Sequence, residues 1–384
     1  MAGTKRGSVA IVGIAESDIG QVAAGMTPVD LMAQAVDRAL QDCGLRLSDV
    51  DGVFAAATQM NMPVLNLCEY LRITPCYMDG THIGGASFLS HVAHAQAAIE
   101  AGACRVAVVA YGSTQRTAGR ASAAPQEITA YEAPYRPVHP VTAYALAASR
   151  HMHEFGTTRE QLAAVAVAAR KWAQMNERAW DKRPLTMEEV LGAPMVASPL
   201  TVRDCCLVTD GGGALVIVSA EAAARLPQKP AYVLGSGEAT THRHVSEMPD
   251  LTVTAARMSG QRAFSMAGLS ARDVDVAQIY DAFTINTILF LEDLGFCAKG
   301  EGGRFVEGGR IAPGGELPVN TNGGGLSYCH PGMYGIFALV EAVRQIRGEA
   351  GPRSVPDCNV SLAHGNGGVL SSQATVILGS SATI

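Results

Sequence analysis

Apolar residues along this chain gather in short runs, each preceded by a helical pattern that closes on glycine. The clearest two such units lie 224 residues apart (39 against 263). Ala39-Leu-Gln-Asp-Cys-Gly44, then Leu45-Arg-Leu-Ser-Asp49-Val50-Asp51-Gly-Val-Phe54, is matched by Ala263-Phe-Ser-Met-Ala-Gly268, then Leu269-Ser-Ala-Arg-Asp273-Val274-Asp275 and on to Tyr280. Each unit predicts a helix stopped by glycine, a short loop with Asp-Val-Asp, and a strand. A second correspondence follows in order. Ala95 to Gly102 predicts a helix end before a strand at Cys104 to Gly112, and Leu339 to Gly348 a helix before a strand at Cys358 to Gly365. Two matches in one order predict an internal duplication, and so long a period means paired units rather than a solenoid. The alternation of helices with continuously apolar strands predicts an α/β fold with buried, largely parallel strands.

On this pattern the first half comprises 1–112 and 200–225, and the second half 226–384. Residues 113–199 break the pattern: Thr114 to Pro140 is polar with proline and tyrosine, and Val141 to about Asn176 is helical in period. A long insertion of this kind predicts a lid or binding loop over one face. Asp210-Gly-Gly-Gly213 before Ala-Leu-Val-Ile-Val is expected to be a tight turn into a strand, since it lacks the spacing and lysine of a phosphate loop.

Composition narrows the function classes. With 48% hydrophobic and 17% charged residues and a net charge of −6, the chain is neither a disordered segment nor a basic nucleic-acid binder. No apolar run approaches the roughly 18 residues of a membrane span. Met1 to Ser8 is polar and passes into a short apolar run without a secretory pattern. Nine cysteines without a Cys-x-x-Cys pair predict reduced thiols in the cytoplasm, with neither disulfides nor zinc. His91/His94, His151/His153 and His242/His244 lack a third ligand nearby and are expected to be structural.

Four clusters carry candidate chemistry. In Asn320-Thr-Asn-Gly-Gly-Gly-Leu-Ser-Tyr328-Cys329-His330-Pro331, three glycines suit a backbone that approaches a ligand, and Pro331 holds His330 out of helical geometry. Tyr280-Asp281-Ala282-Phe283-Thr284 ends a repeated strand, where open α/β sheets place their ligand crevice. There Asp281 is equally a cap for the helix starting near Thr284. His364-Gly-Asn-Gly367-Gly368 ends another strand, opposite Tyr111-Gly112 in the duplication. Asp79-Gly-Thr-His82-Ile-Gly84-Gly85-Ala86-Ser87 feeds a helix.

Together these residues resemble the thiolase superfamily, in its sterol-carrier-type, lipid-transfer branch, over nearly the whole chain. Asn322-Gly-Gly-Gly to Cys329-His330-Pro331 resembles the Gly-His-Pro catalytic loop. Tyr280-Asp-Ala-Phe283 resembles the Asn-Glu-Ala-Phe motif, and His364-Gly-Asn-Gly-Gly368 the last glycine motif. The implied fold is the thiolase fold: two duplicated βαβαβαββ halves in five α-β-α-β-α layers with an inserted loop domain. A homodimer and a small zinc-ribbon/OB-fold partner subunit are implied as well, with a CoA thioester as substrate and no bound cofactor.

Three departures from the family pattern bear on mechanism. In the register set by Ile99, the nucleophilic cysteine's position is Gly85. Tyr280 stands where thiolases keep Asn or His, and Tyr328-Cys329 precede the histidine where the family has glycine. An acyl-enzyme needs its nucleophile. Retro-aldol cleavage of a β-hydroxyacyl-CoA instead needs a base for the hydroxyl, donors for the thioester enolate and an acid for the α-carbon. His330, Tyr328 and Tyr280 are the expected acid/base groups, with Asp281 beside them. His364 and the backbone near Gly367 and Gly368 are expected to hold the thioester oxygen. Arg116, Arg120 and Arg136 are candidates for CoA's phosphates. An acyltransferase with a displaced thiol and a non-catalytic acyl-CoA or lipid carrier are the other readings open at this point.

Overall fold

The structure, a computed structural model, describes residues 4–119 and 130–384. The strands of its main sheet are β1 (Val9–Glu16), β2 (Gly52–Ala55), β3 (Tyr77–Asp79), β4 (Val106–Ser113), β5 (Gly211–Ser219), β6 (Ala231–Thr240), β7 (Val276–Ile279), β8 (Val360–Gly367) and β9 (Ser372–Gly379), and a separate antiparallel pair joins Met195–Ala197 to Leu200–Thr201. The longer helices are α1 (Pro28–Cys43), α2 (Pro63–Leu71), α3 (Ser87–Glu100), α4 (Val141–Phe155), α5 (Arg159–Gln174), α6 (Ala256–Ala267), α7 (Thr284–Asp293) and α8 (Gly335–Arg347).

The repeated segments fold alike down to their caps. α1 closes on Gly44 and α6 on Gly268, both left-handed, with φ of 73° and 65°. Each Asp-Val-Asp then does two jobs. Asp49 and Asp273 accept from the backbone N–H three residues earlier, at Arg46 and Ser270, and close a short turn. Asp51 accepts from the N–H groups of Arg105 and Val106, and Asp275 from those of Asn359 and Val360. The second aspartate therefore pins the first residues of the strand that will pair beside its own.

Strands β1 to β9 form one sheet in the order β3-β2-β4-β5-β1-β6-β9-β8-β7. The halves meet where β1 pairs with β6 at Ala10–Tyr232 and Ile11–Ala231. The first half has the full βαβαβαββ order. In the second, the third strand is reduced to a single bridge between Ala277 and Val319. α1 covers the outer face of the first half and α6 that of the second, while α3 and α8 each touch strands of both halves. This gives the five expected layers, with α3 and α8 in the centre.

The expectation of largely parallel strands fails: five neighbouring pairs are antiparallel and three are parallel. Helices cover both faces here, so antiparallel strands are as continuously apolar as parallel ones and the pattern cannot separate them. The helical run from Val141 is also two helices. Gly156 ends α4 at φ 73°, and a Thr158–Gln161 capping box starts α5. All nine cysteines are free thiols.

Candidate active site

A cavity of about 580 Å³ opens where β7 and β8 end, walled by the Gly84-Gly85 turn before α3, the loop before α8, and α4 of the inserted segment. Two glycines let these backbones converge. A Cβ on Gly367 would lie 1.6 Å from Ile83 O, and one on Gly84, at φ 76°, 2.7 Å from Gly367 Cα. Gly85 is a different case. Its Cβ would sit 2.2 Å from Cε2 of Tyr280, so the tyrosine ring fills the space that a side chain at position 85 needs.

Tyr280 and His330 form the polar centre of the cavity. The phenol lies 3.1 Å from His330 Nε2 and accepts the N–H of Tyr334 at 3.2 Å. Their rings meet edge to face, with centroids 5.6 Å apart. Burial lowers the His330 pKa to about 4 and pushes that of Tyr280 well up, so both are neutral near pH 7. With the imidazole proton on Nδ1, toward its own backbone, Nε2 is an acceptor for the phenol proton, and Gly332 O at 3.4 Å is a second. The histidine backbone is fixed by its N–H to Thr209 Oγ1 at 3.0 Å, and the following turn by Tyr111, whose hydroxyl donates to Pro331 O.

Asp281 does not cap α7, whose first turn has no side-chain cap. It turns the other way and accepts from the N–H groups of Gly325 and Leu326 at 2.6 and 3.4 Å, holding the wide turn Gly324–Tyr328. Burial raises its pKa to about 7. Tyr328 lies off the cavity wall. Its hydroxyl donates to Glu16 at 2.9 Å in a buried cluster with Arg178 and Arg344. Burial alone would raise Glu16, but the two arginines hold it down to about 2. A phenol committed to that carboxylate is removed from the proton transfers expected of it.

His364 is also off the cavity wall, fully buried between Thr375 and Gln373 of β9. Gly367 and Gly368 do line the cavity. Of the arginines, Arg116 stacks on Trp180 and donates to Val208 O, and Arg136 is exposed away from the cavity. Arg120 lies outside the described residues. Arg243, on the loop after β6, reaches the cavity mouth instead. His91 bonds Thr81 O and His94 bonds Asp79, so neither faces the cavity.

Sequence reasoning missed Tyr144, Phe283, Asn366 and Cys206 as cavity residues. Phe283 and Asn366 stood inside quoted motifs, whereas nothing local distinguishes Tyr144 in its helix. Cys206 has a thiol that burial pushes far above its ordinary value, beside Cys205 and Asp281.

Comparisons with known proteins bear on the family and the fold. Residues 237–380 match the family described as thiolase C-terminal domain-like. The steroid side-chain-cleaving aldolase of Thermomonospora curvata is 34% identical over 94% of this chain and 96% of its own. The acetyl-CoA acetyltransferase of Methanothermobacter thermautotrophicus is 32% identical over 94% and 96%. Among solved structures, the Ltp2-ChsH2(DUF35) aldolase superposes with a TM-score of 0.89 at 31% identity, covering 98% of this chain and 99% of that one.

Proposed function

This chain belongs to the thiolase superfamily, in its sterol-carrier and lipid-transfer branch, and from that premise we propose that it breaks a C–C bond in a β-hydroxyacyl-CoA by retro-aldol cleavage, on a bulky acyl group of steroid type. The observation that carries this reading is the Tyr280 ring in the space a nucleophile at position 85 would need. A superfamily site without that nucleophile keeps its carbonyl chemistry and loses the acyl-enzyme.

The proton path follows from the two neutral groups. The substrate's β-hydroxyl gives its proton to the Tyr280 oxygen as the phenol passes its own to His330 Nε2, 3.1 Å away. No tyrosinate accumulates, which matters because burial disfavours it. As the new carbonyl forms, the Cα–Cβ electron pair moves onto the thioester as an enolate. Imidazolium, strongly acidic in this buried place, returns the proton to Cα. The products are an aldehyde or ketone and a shortened acyl-CoA. Gly367 and Gly368 supply the backbone at the thioester end, and Arg243 at the mouth suits a CoA phosphate.

A homodimer belongs to the same reading. It is supported by β3 at an open sheet edge, with Met62, Leu65, Tyr70 and Met78 exposed beside it. The small zinc-ribbon/OB-fold partner is supported by a solved neighbour that is itself named as a two-component aldolase. Purified enzyme, alone and with a co-expressed partner, should release aldehyde or ketone from a panel of β-hydroxyacyl-CoAs. Tyr280→Phe should lower kcat by about 10²–10⁴-fold, the usual share of a proton-transfer group. No turnover with any panel member, or an unaffected variant, sinks the reading.

One observation favours a second reading, an acyltransferase: Cys206 lies on the cavity wall. Incubation with acyl-CoA and intact-mass measurement distinguishes the two. An acyl adduct that Cys206→Ala abolishes would replace retro-aldol chemistry with a displaced nucleophile.

A further inference from the structure

A chain of hydrogen bonds runs from buried His364 to the cavity wall, and the orientation of two side-chain amides, Gln373 and Asn366, gives it a direction. Gln373 Nε2 donates to Asn366 Oδ1 at 2.7 Å, and Asn366 Nδ2 donates to the Tyr144 phenol oxygen at 2.8 Å. Gln373 Oε1, 3.0 Å from His364 Nε2, can only accept. His364 therefore carries its proton on Nε2, and Nδ1 takes the Thr375 hydroxyl at 2.9 Å. Burial keeps the imidazole neutral, with its pKa down to about 3. Every bond in the series points toward Tyr144.

The phenol oxygen is thus an acceptor on its Asn366 side, and its own proton is left to donate. Its one hydrogen bond as donor among the described residues is to Gly368 O at 3.5 Å, the outer limit of such a bond, with the Leu370 backbone and the Asn286 amide also beside the phenol. Asn286 lies close by on the first turn of α7, and neither of its buried amide atoms makes a well-formed bond among the described residues. The ring is held in place by stacking on Phe283, with centroids 4.4 Å apart and planes at 27°. A fixed, neutral O–H with a poor acceptor, on the wall of a mainly apolar cavity, is a donor suited to a carbonyl oxygen.

We propose that Tyr144 is a second catalytic phenol, whose O–H donates to the thioester oxygen, and that Asn366, Gln373 and His364 are positioning residues that aim it into the cavity. This rests on the retro-aldol reading for its chemistry. Tyr280 and His330 take the β-hydroxyl proton at one end of the substrate. Tyr144 meets the enolate oxygen at the other, keeping its own proton while the Cα–Cβ pair arrives and is quenched at Cα from His330. The inserted segment then supplies a catalytic group as well as a cover.

Two variants and two readouts test it in the full-length enzyme. Tyr144→Phe removes only the hydroxyl. Gln373→Glu cannot donate to Asn366, so the Asn366 amide turns over and Tyr144 must donate to its oxygen, away from substrate. Each should lower kcat by about 10²–10³-fold, the usual cost of one oxyanion donor, with KM little changed. The double variant should be no worse than Tyr144→Phe. Independently of turnover, the carbonyl ¹³C resonance of bound [1-¹³C]isobutanoyl-CoA should lie downfield in wild type and move back in both variants. If wild type cleaves no β-hydroxyacyl-CoA, the retro-aldol reading falls, while a shift lost in Tyr144→Phe still supports the donor. Tyr144→Phe that keeps both kcat and the shift overturns the proposal, as does the lack of a wild-type shift at saturating ligand. A Gln373→Glu enzyme that keeps the shift overturns the positioning role.

Discussion

Positions 85 and 280 compete for one volume. With Tyr280 present, a Cβ at position 85 would fall 2.2 Å from the ring. Restoring the missing thiol alone should therefore fail. Gly85→Cys is expected to lose about 1–3 kcal/mol by overpacking and to form no acyl adduct by intact mass with acyl-CoA. The double variant Gly85→Cys with Tyr280→Asn clears the ring, leaves the Asn366 carbonyl oxygen 2.8 Å from the Cβ to give way, and should accumulate one. An adduct in the single variant would show that the ring yields, and would remove the steric basis of the mechanism. Much of this site was legible in the residues themselves. His330 and Tyr280 were marked by proline and by a strand end, both local signals. Tyr328 and His364 stood in equally strong motifs, yet their side chains turn to Glu16 and Gln373, residues far away in sequence or on the opposite strand.

Edge strand β3 and interior strand β6 are joined to the central helix α3 by one charged contact. His94 on α3 lies 2.6 Å from Asp79 at the end of β3 and 3.8 Å from Glu238 on β6. Asp79 and Glu238 raise its pKa from 6.5 to about 9 despite partial burial. A pKa raised on folding contributes stability that is complete below about pH 6.5 and is lost as pH rises through about 9. The melting temperature of wild type should therefore fall, relative to His94→Gln, between those values. Parallel curves for the two proteins would show that the contact carries no net free energy. The elements themselves were easier to foresee. α1 and α6 announce their ends with Gly44 and Gly268, and the Asp-Val-Asp loops announce the strands. Strand direction was not foreseeable, because a strand buried on both faces shows the same apolar run in either orientation.

The whole molecule is tied together at a few ionic clusters. Glu16 ends β1 in the first half, Arg344 lies on α8 in the second, Arg178 follows α5 in the inserted segment, and Tyr328 belongs to the site loop. Glu16→Gln would leave Arg344 half-enclosed without its counter-charge. Breaking a buried pair costs about 3–5 kcal/mol, and the lower end applies because Arg178 is 41% exposed. Chemical denaturation should show that loss. Activity should fall with it, since the same carboxylate anchors the loop that carries His330. A variant as stable as wild type would mean that the arginines find other partners.

Fold class and duplication were written in local features: glycine-capped helices and repeated aspartates. These depend on neighbours within a few residues, so the linear order preserves them. Which tyrosines line the cavity was not so written. Tyr144 comes from an insertion, Tyr280 from a strand end and Asn366 from another strand. Only folding sets them around one cavity and turns Tyr328 and His364 out of it, because side-chain direction at a site depends on what the distant chain packs against.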